Sequence, residues 1–141
     1  MASFNKFNQF VEDLAHKVHN LGSDTLKLAL SNTAPNATDA TLSDITQIAA
    51  GNGYTTGGFT LTVSASAQSG GTYKLTIDDI TITASGGAIA TFRYFILLND
   101  TPTSPADPLI GWWDYGSAVD LGDGQSLPVD FSATNGVLQV A

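Results

Sequence analysis

Apolar side chains near the start of the chain recur at steps of three and four, the spacing of one face of a helix. These residues are Phe4, Phe7, Phe10, Val11, Leu14, Val18 and Leu21. Ser3 can cap the start of such a helix, and Gly22 can end it. The pattern predicts an amphipathic N-terminal α-helix within residues 1–22, about 18 residues and about 27 Å long. We expect its apolar stripe either to pack on the protein's own β-structure or to dock on a neighbouring subunit.

After residue 22 the period changes to the two-residue alternation of half-buried strands, beginning with Leu26, Leu28 and Leu30. The predicted strands are 25–31, 59–67, 72–77, 80–84, 88–98, 109–115, 126–131 and 137–140. Glycine-containing turns such as 69–71 separate them, as tight hairpins require. A count of about seven or eight strands is typical of a sandwich. The sequence therefore predicts a mainly β protein, with an antiparallel β-sandwich or jelly-roll-like domain at 23–141 and one N-terminal amphipathic α-helix, all in a single domain 1–141.

Two segments depart from simple alternation. Residues 92–98 are apolar on both faces apart from Arg93, which predicts a central strand covered on both sides. Residues 41–50 fit a short helical turn or an irregular crossing, with Leu42, Ile45 and Ile48 turned inward. The interior is therefore expected to extend to both sides of at least one strand.

The charge of the chain restricts its partners. Among 141 residues, thirteen acids stand against five Lys and Arg, a net charge of -8. This balance opposes nucleic-acid binding, because phosphate contacts are made mostly by Lys and Arg. No apolar run is long enough for a membrane span, so we expect no membrane partner. Charged residues make up only 13 % of the chain, against about 25 % on average, which suggests that part of the surface is covered by other proteins.

The residues that support catalysis are scarce. From residue 25 onwards there is no Cys or His, and Lys27, Lys74 and Arg93 are the only cations. General acid-base and nucleophilic chemistry depend on groups tuned by such neighbours. We therefore expect no enzymatic activity, no catalytic residue and no cofactor.

Two groups of residues invite a metal-binding interpretation. Glu12, His16 and His19 fall within two turns of the predicted helix, but a metal site usually needs a further fixed ligand, and a solvated helical face is the preferred interpretation. Three aspartates lie around a glycine-rich turn: Asp120, Asp123 and Asp130. Their spacing does not fit an EF-hand loop, so turn chemistry is the preferred explanation. We expect no metal site.

The densest aromatic cluster lies at 108–116. Trp112 and Trp113 are adjacent, so on a strand they point to opposite faces. One can fill the core, while the other must lie at a surface, at an interface or under the helix. The preceding loop 101–108 carries three prolines and can act as a contact arm that loses little entropy on binding. The candidate interface residues are Phe4, Phe7, Phe10, Pro102, Pro105, Trp112, Trp113 and Tyr115.

Four strings span much of the chain: NKFNQFVEDLA at 5–15, HNLGSDTLK at 19–27, IAAGNGY at 48–54 and LIGWWDYG at 109–116. They resemble a group of small tailed-bacteriophage virion structural proteins. The resemblance implies a capsid or tail component without enzymatic activity. Among small phage β-proteins, the chain looks most like a capsid decoration (cement) protein, which clamps neighbouring major capsid subunits.

The partners implied by the resemblance are the major capsid protein and further copies of this chain, in a dimer or trimer. The implied location is the capsid surface of the virion, after assembly in the host cytoplasm. Two alternatives stay open. The first is a tail component, such as a tail-tube or tail-tip protein. The second is a carbohydrate-binding adhesion module that uses Trp112 or Trp113 as its platform.

Overall fold

The computed structural model describes residues 3–141. Strands account for 47 % of the chain and helices for 8 %, which confirms the mainly β prediction. The elements in chain order are β1 (Asn5–Lys6), α1 (Asn8–Ala15), β2 (Leu26–Ser31), a 3₁₀ helix (Leu42–Asp44), β3 (Phe59–Thr60), β4 (Val63–Ser69), β5 (Thr72–Ile77), β6 (Ile80–Thr83), β7 (Ile89–Asn99), β8 (Leu109–Leu121), β9 (Ser126–Val129) and β10 (Leu138–Val140).

The strands form antiparallel sheets that pack as a sandwich. The largest has the order β1-β8-β7-β2-β3, and the opposite layer consists of β10-β5-β4 together with the two-stranded ribbon β6-β9. Leu28, Leu75, Ile82 and Phe95 come from both layers and belong to one buried cluster. The main core therefore lies between the five-stranded sheet and the two smaller sheets.

A second, smaller core lies on the other face of the five-stranded sheet. Its buried residues are Phe7, Ala29, Leu42, Ile45, Ile96, Leu98 and Leu109. Because side chains alternate along a strand, Ile96 and Leu98 enter this second core while Phe95 and Leu97 enter the main one. The prediction that residues 92–98 form a strand covered on both sides is confirmed.

The crossing at residues 41–50 also matches its prediction. It contains the 3₁₀ helix, and Leu42, Ile45 and Ile48 are all buried. Asp44 closes a capping box with Thr41, accepting a hydrogen bond from the Thr41 amide at 3.1 Å. The amides of Ala40 and Thr41 lower the pKa of the Asp44 carboxyl below its ordinary value. The crossing, held by local hydrogen bonds, thus places Leu42 and Ile45 in the second core and Ile48 in the main one.

The predicted N-terminal helix is much shorter than expected. Only Asn8–Ala15 is helical, and β1 precedes it, pairing Asn5 with Trp112 and Lys6 with Gly111. The three-residue spacing that suggested a helix here places Phe4 and Phe7 on opposite faces of a strand, where each finds a different core. The helix ends because Lys17 adopts a left-handed backbone with φ 66°. Pairing with β8 has overridden the local helical pattern.

Most predicted strands are found within a few residues of their expected bounds, with two differences. The predicted strand 59–67 is split, because β3 pairs with β2 in one layer while β4 pairs with β5 in the other. Strand β8 continues to Leu121, past the predicted end at residue 115. The turn between β4 and β5 is as predicted, with Gly70 and Gly71 at φ 60° and 86°, values that favour glycine.

Candidate contact surface

The two tryptophans of β8 point to opposite faces, as predicted. Trp113 lies opposite Phe95 and is 6 % exposed in the main core. Trp112 lies opposite Ile96 and packs beside the second core, where its ring centroid is 4.6 Å from that of Phe7. Trp112 is half-buried beneath the N-terminal segment. Neither ring is therefore a freely exposed platform.

Trp113 instead forms part of the lining of an open groove, which we call the aromatic groove. Its lining residues are Phe95, Trp113, Tyr115, Leu127, Pro128, Val129, Asp130 and Phe131, around about 210 Å³ of space. The rings of Trp113 and Phe131 lie 5.9 Å apart, and those of Phe95 and Tyr115 lie 6.1 Å apart. Tyr115 is 48 % exposed, so its ring is available to a partner. The groove is mainly apolar, with the exposed carboxylate of Asp130 as its charged member.

An ion pair fixes the strand from which Tyr115 projects. Arg93 donates to Asp114 through two nitrogens, from Nε to Oδ1 at 2.8 Å and from Nη2 to Oδ2 at 3.1 Å. The Gly116 amide donates to Asp114 Oδ1 at 2.8 Å. The hydrogen bond from Arg93, followed by that from Gly116, lowers the pKa of the Asp114 carboxyl. The backbone is therefore tied down on both sides of Tyr115.

A second hollow adjoins the aromatic groove and shares Trp113 and Phe131 with it. Phe4 forms another part of its lining and packs edge-on against Trp113, with ring centroids 5.3 Å apart. Phe4 is half-buried, and among the candidate phenylalanines it is the one that lines the hollow next to the aromatic groove. Phe7 and Phe10 are 0 % and 4 % exposed. Of the two alternatives predicted for the apolar stripe, Phe7 and Phe10 follow the first, because both pack inside their own chain.

The proline-containing loop lies apart from this surface. Thr101 fastens its start by accepting a hydrogen bond from the Thr25 amide at 2.8 Å. Pro102 is half-buried and lines a different hollow, which also contains His19. Pro105 is exposed. No lining residue of the aromatic groove comes from this loop, so the structure does not unite the two predicted contact regions.

His19 is buried, at 6 % exposure, and not on a solvated helical face as predicted. Since α1 ends at Ala15, the following residues turn inward, and the His19 ring packs 5.2 Å from that of Phe10. The side-chain nitrogen of Asn99 lies 3.1 Å from His19 Nδ1 and donates to Asp24 Oδ2 at 2.7 Å. The sequence pattern missed this buried polar cluster because it assumed a longer helix.

Burial lowers the pKa of His19 below its ordinary value of 6.5, against the opposing influence of Asp13 and Asp24. The Asn99 contact is compatible with neutral His19 accepting at Nδ1 and carrying its proton on Nε2. Within residues 3–141, His19 Nε2 and Asp13 Oδ2 are buried without a hydrogen-bond partner. The cluster joins the segment after α1 to the end of β7 and contains a group sensitive to pH.

The other candidate metal ligands do not converge. His16 is exposed and lies 3.7 Å from Glu12. Asp123 accepts a hydrogen bond from the Gly86 amide at 3.0 Å, and Asp120 accepts one from the Thr91 hydroxyl, in line with turn chemistry. Over the described range 3–141, no three His, Asp or Glu side chains form a group able to hold a metal ion. Among the described residues, no helix has both the length and the apolar character needed to cross a bilayer.

The geometry thus offers an aromatic groove for an apolar group. Leu127 and Phe131 were not among the predicted contact residues, although both lie in the predicted strand 126–131. Comparisons with protein-family models, curated proteins and solved structures found no match for this chain.

Proposed function

We propose that this protein is a bacteriophage virion structural protein, and specifically a capsid decoration (cement) protein that binds and stabilises the major capsid shell. It acts without catalysis, on the outer surface of the capsid, as a dimer or trimer. The aromatic groove is the observation that carries the proposal. Support also comes from the four strings at 5–15, 19–27, 48–54 and 109–116, which resemble phage virion proteins.

The groove suits a side chain supplied by another protein. Its volume of about 210 Å³ is below the range of about 300–1,000 Å³ that is usual for small-molecule sites. Its aromatic lining is typical of the pockets in which apolar anchors of protein interfaces are desolvated. We therefore propose that the groove binds an aliphatic or aromatic side chain on an exposed segment of the major capsid protein. Exposed Tyr115 would pack over that side chain.

The carbohydrate-binding alternative has less support. A sugar platform needs an accessible flat aromatic face, whereas Trp113 is almost fully buried and Trp112 packs against Phe7. Tyr115 is the exposed ring of this region, and it borders an apolar groove. Such a groove is better suited to binding an apolar side chain than to binding a sugar.

Cosedimentation of the purified protein with undecorated capsids tests the proposal. Tyr115→Ala should weaken capsid binding by about tenfold, because tyrosine is prominent among the interface residues whose truncation costs more than about 1 kcal/mol of binding energy. Val11→Ala is the matched control, since Val11 is 51 % exposed but does not line the groove. Equal capsid affinity of Tyr115→Ala and the wild-type protein would exclude the groove as the contact.

The position of this protein in the virion distinguishes a capsid role from a tail role. Immunogold labelling of intact virions with an antibody against this chain should decorate the capsid surface. Labelling of the tail alone would replace the capsid assignment with a tail-tube or tail-tip role.

A further inference from the structure

Strand β4 forms an open edge of the three-stranded sheet. It pairs with β5 on one side, and among the described residues no strand pairs with its other side. Ser64, Ala65, Ala67, Gln68 and Ser69 are exposed along it. We propose that this edge binds the β4 strand of a second copy of the chain, antiparallel and across a twofold axis, to form a continuous six-stranded sheet.

Hairpin geometry indicates which backbone groups are free to pair. The Gly70-Gly71 turn makes Ser69 and Thr72 the closing pair, which in a two-residue hairpin exchanges both backbone hydrogen bonds. Alternation then directs the amide and carbonyl groups of Gln68 and Ser66 away from β5. These outward donors and acceptors have the spacing that an added antiparallel strand requires.

The edge lacks the features that usually prevent such pairing. Exposed edge strands are commonly protected by charged residues or proline, but the sequence of β4 is VSASAQS. Its protective feature is a register irregularity between Val63 and Ala65, near the start of the strand. The segment Ala65–Ser69 beyond it is left as a regular, uncharged edge.

Charge distribution favours a second copy as the occupant. Two chains of net charge -8 repel one another, yet residues 45–77 contain no Asp or Glu. The one cation of that span, Lys74, lies opposite Ala67 on β5 and donates to the Thr134 carbonyl at 3.1 Å. Strands β4 and β5 therefore contribute no carboxylate of their own to the edge where two acidic copies would meet.

The strand is also complementary to itself. A twofold axis through Ala67 places Ala67 opposite its symmetry mate and Ser66 opposite Gln68 of the other copy. The outward groups of Ser66 and Gln68 then exchange hydrogen bonds, while small side chains meet at the centre. A charged side chain at position 67 would face the same charge on the other copy, and the natural residue, Ala67, is uncharged.

Sedimentation of charge variants tests this arrangement. The wild-type protein should be a dimer, and Ala67→Lys should raise its dissociation constant about fivefold, because like charges would lie directly opposite. Ala67→Glu should raise it less, since Lys74 of the same chain lies opposite position 67. An equimolar mixture of the two variants should recover a heterodimer. Ala133→Lys, at an exposed position outside the strands, should dimerise like the wild type. A monomeric or trimeric wild type, or a mixture no tighter than either variant alone, would overturn the proposal.

Cross-linking provides a second test, since the chain has no cysteine. At a non-hydrogen-bonded antiparallel pair the Cα atoms lie about 4.5 Å apart, within the range that a disulfide can bridge. Ala67→Cys should therefore form a covalent dimer with the oxidant diamide, and Ala133→Cys should not. Equal cross-linking of both variants would contradict the proposed register. Both readouts use the isolated protein, so they are independent of whether it binds capsids.

Discussion

The backbone of Gly111 passes directly beneath the ring of Phe4, and a side chain at position 111 would overlap that ring. A Cβ atom there would also lie 2.7 Å from the carbonyl oxygen of Asn5. Because position 111 of β8 has no side chain, β1 can lie against β8 and the Phe4 ring can reach Trp113.

Gly111→Ala should therefore displace β1 from β8. We expect the free energy of unfolding to fall by about 1–3 kcal/mol, the usual cost of overpacking, as measured by urea denaturation. Tryptophan fluorescence should shift to longer wavelength as Phe4 uncovers Trp113. Ser117→Ala, at an exposed position of the same strand, is the control and should leave both measurements unchanged. Unchanged stability of Gly111→Ala would mean that β1 is not held in this position.

Phe7 supports folding rather than partner binding. It is 0 % exposed and packs on Trp112, so Phe7→Ala should lower the free energy of unfolding by about 3–5 kcal/mol. Val11→Ala, at an exposed position of α1, should change it by less than about 0.5 kcal/mol. Urea denaturation compares the two variants. Similar stabilities would contradict the burial of Phe7.

Buried His19 should make the protein less stable in mild acid. Its pKa lies below the ordinary value of 6.5, so the unfolded chain binds a proton more readily than the folded one. The free energy of unfolding should accordingly decrease as the pH falls through about 6.5, until the folded-state pKa is passed. Urea denaturation at a series of pH values measures this slope.

His19→Gln removes the titrating group and should reduce the slope between about pH 7 and about pH 5. Val11→Ala, at an exposed position of α1 that carries no titrating group, is the control and should retain the wild-type slope. If His19→Gln and the wild type lose stability in parallel, His19 is not the source of the acid sensitivity.

The ion pair between Arg93 and Asp114 can be tested through the pKa of the Asp114 carboxyl. The hydrogen bond from Arg93 is the main cause of the lowered pKa of Asp114, so Arg93→Gln should raise that pKa towards the ordinary value of 3.8. NMR titration of the side-chain carboxyl carbon measures the change. Lys27→Gln, which removes the partner of Asp100, should leave the pKa of Asp114 where it is. A pKa unaffected by Arg93→Gln would mean that the ion pair does not persist in solution.

The strands were predictable because each has one face in a core, and its other face lies either in solvent or in the second core. Leu26, Leu28 and Leu30 alternate because all three enter the main core, while the small residue Ala29 between them enters the second core. The doubly apolar run 92–98 likewise follows from burial on both faces. The N-terminal helix was overestimated because Phe4 and Phe7 fit a helical spacing and a strand equally well. The pairing with β8 that decides between them joins residues more than a hundred positions apart.

The contact surface was predictable only in part. Adjacency of Trp112 and Trp113 was sufficient to predict opposite faces, but not which of them would enter the main core. Phe131 meets Trp113 because the β6-β9 ribbon packs over the five-stranded sheet, and sequence periodicity does not specify that arrangement. The burial of His19 was missed for a similar reason, since it depends on the helix ending early.

Strands β7 and β8 each contribute side chains to the interior on both sides of the sheet. Separating these two strands would expose both cores together, so neither half is expected to persist as a folded remnant. Calorimetry should accordingly show one heat-absorption peak with equal calorimetric and van't Hoff enthalpies.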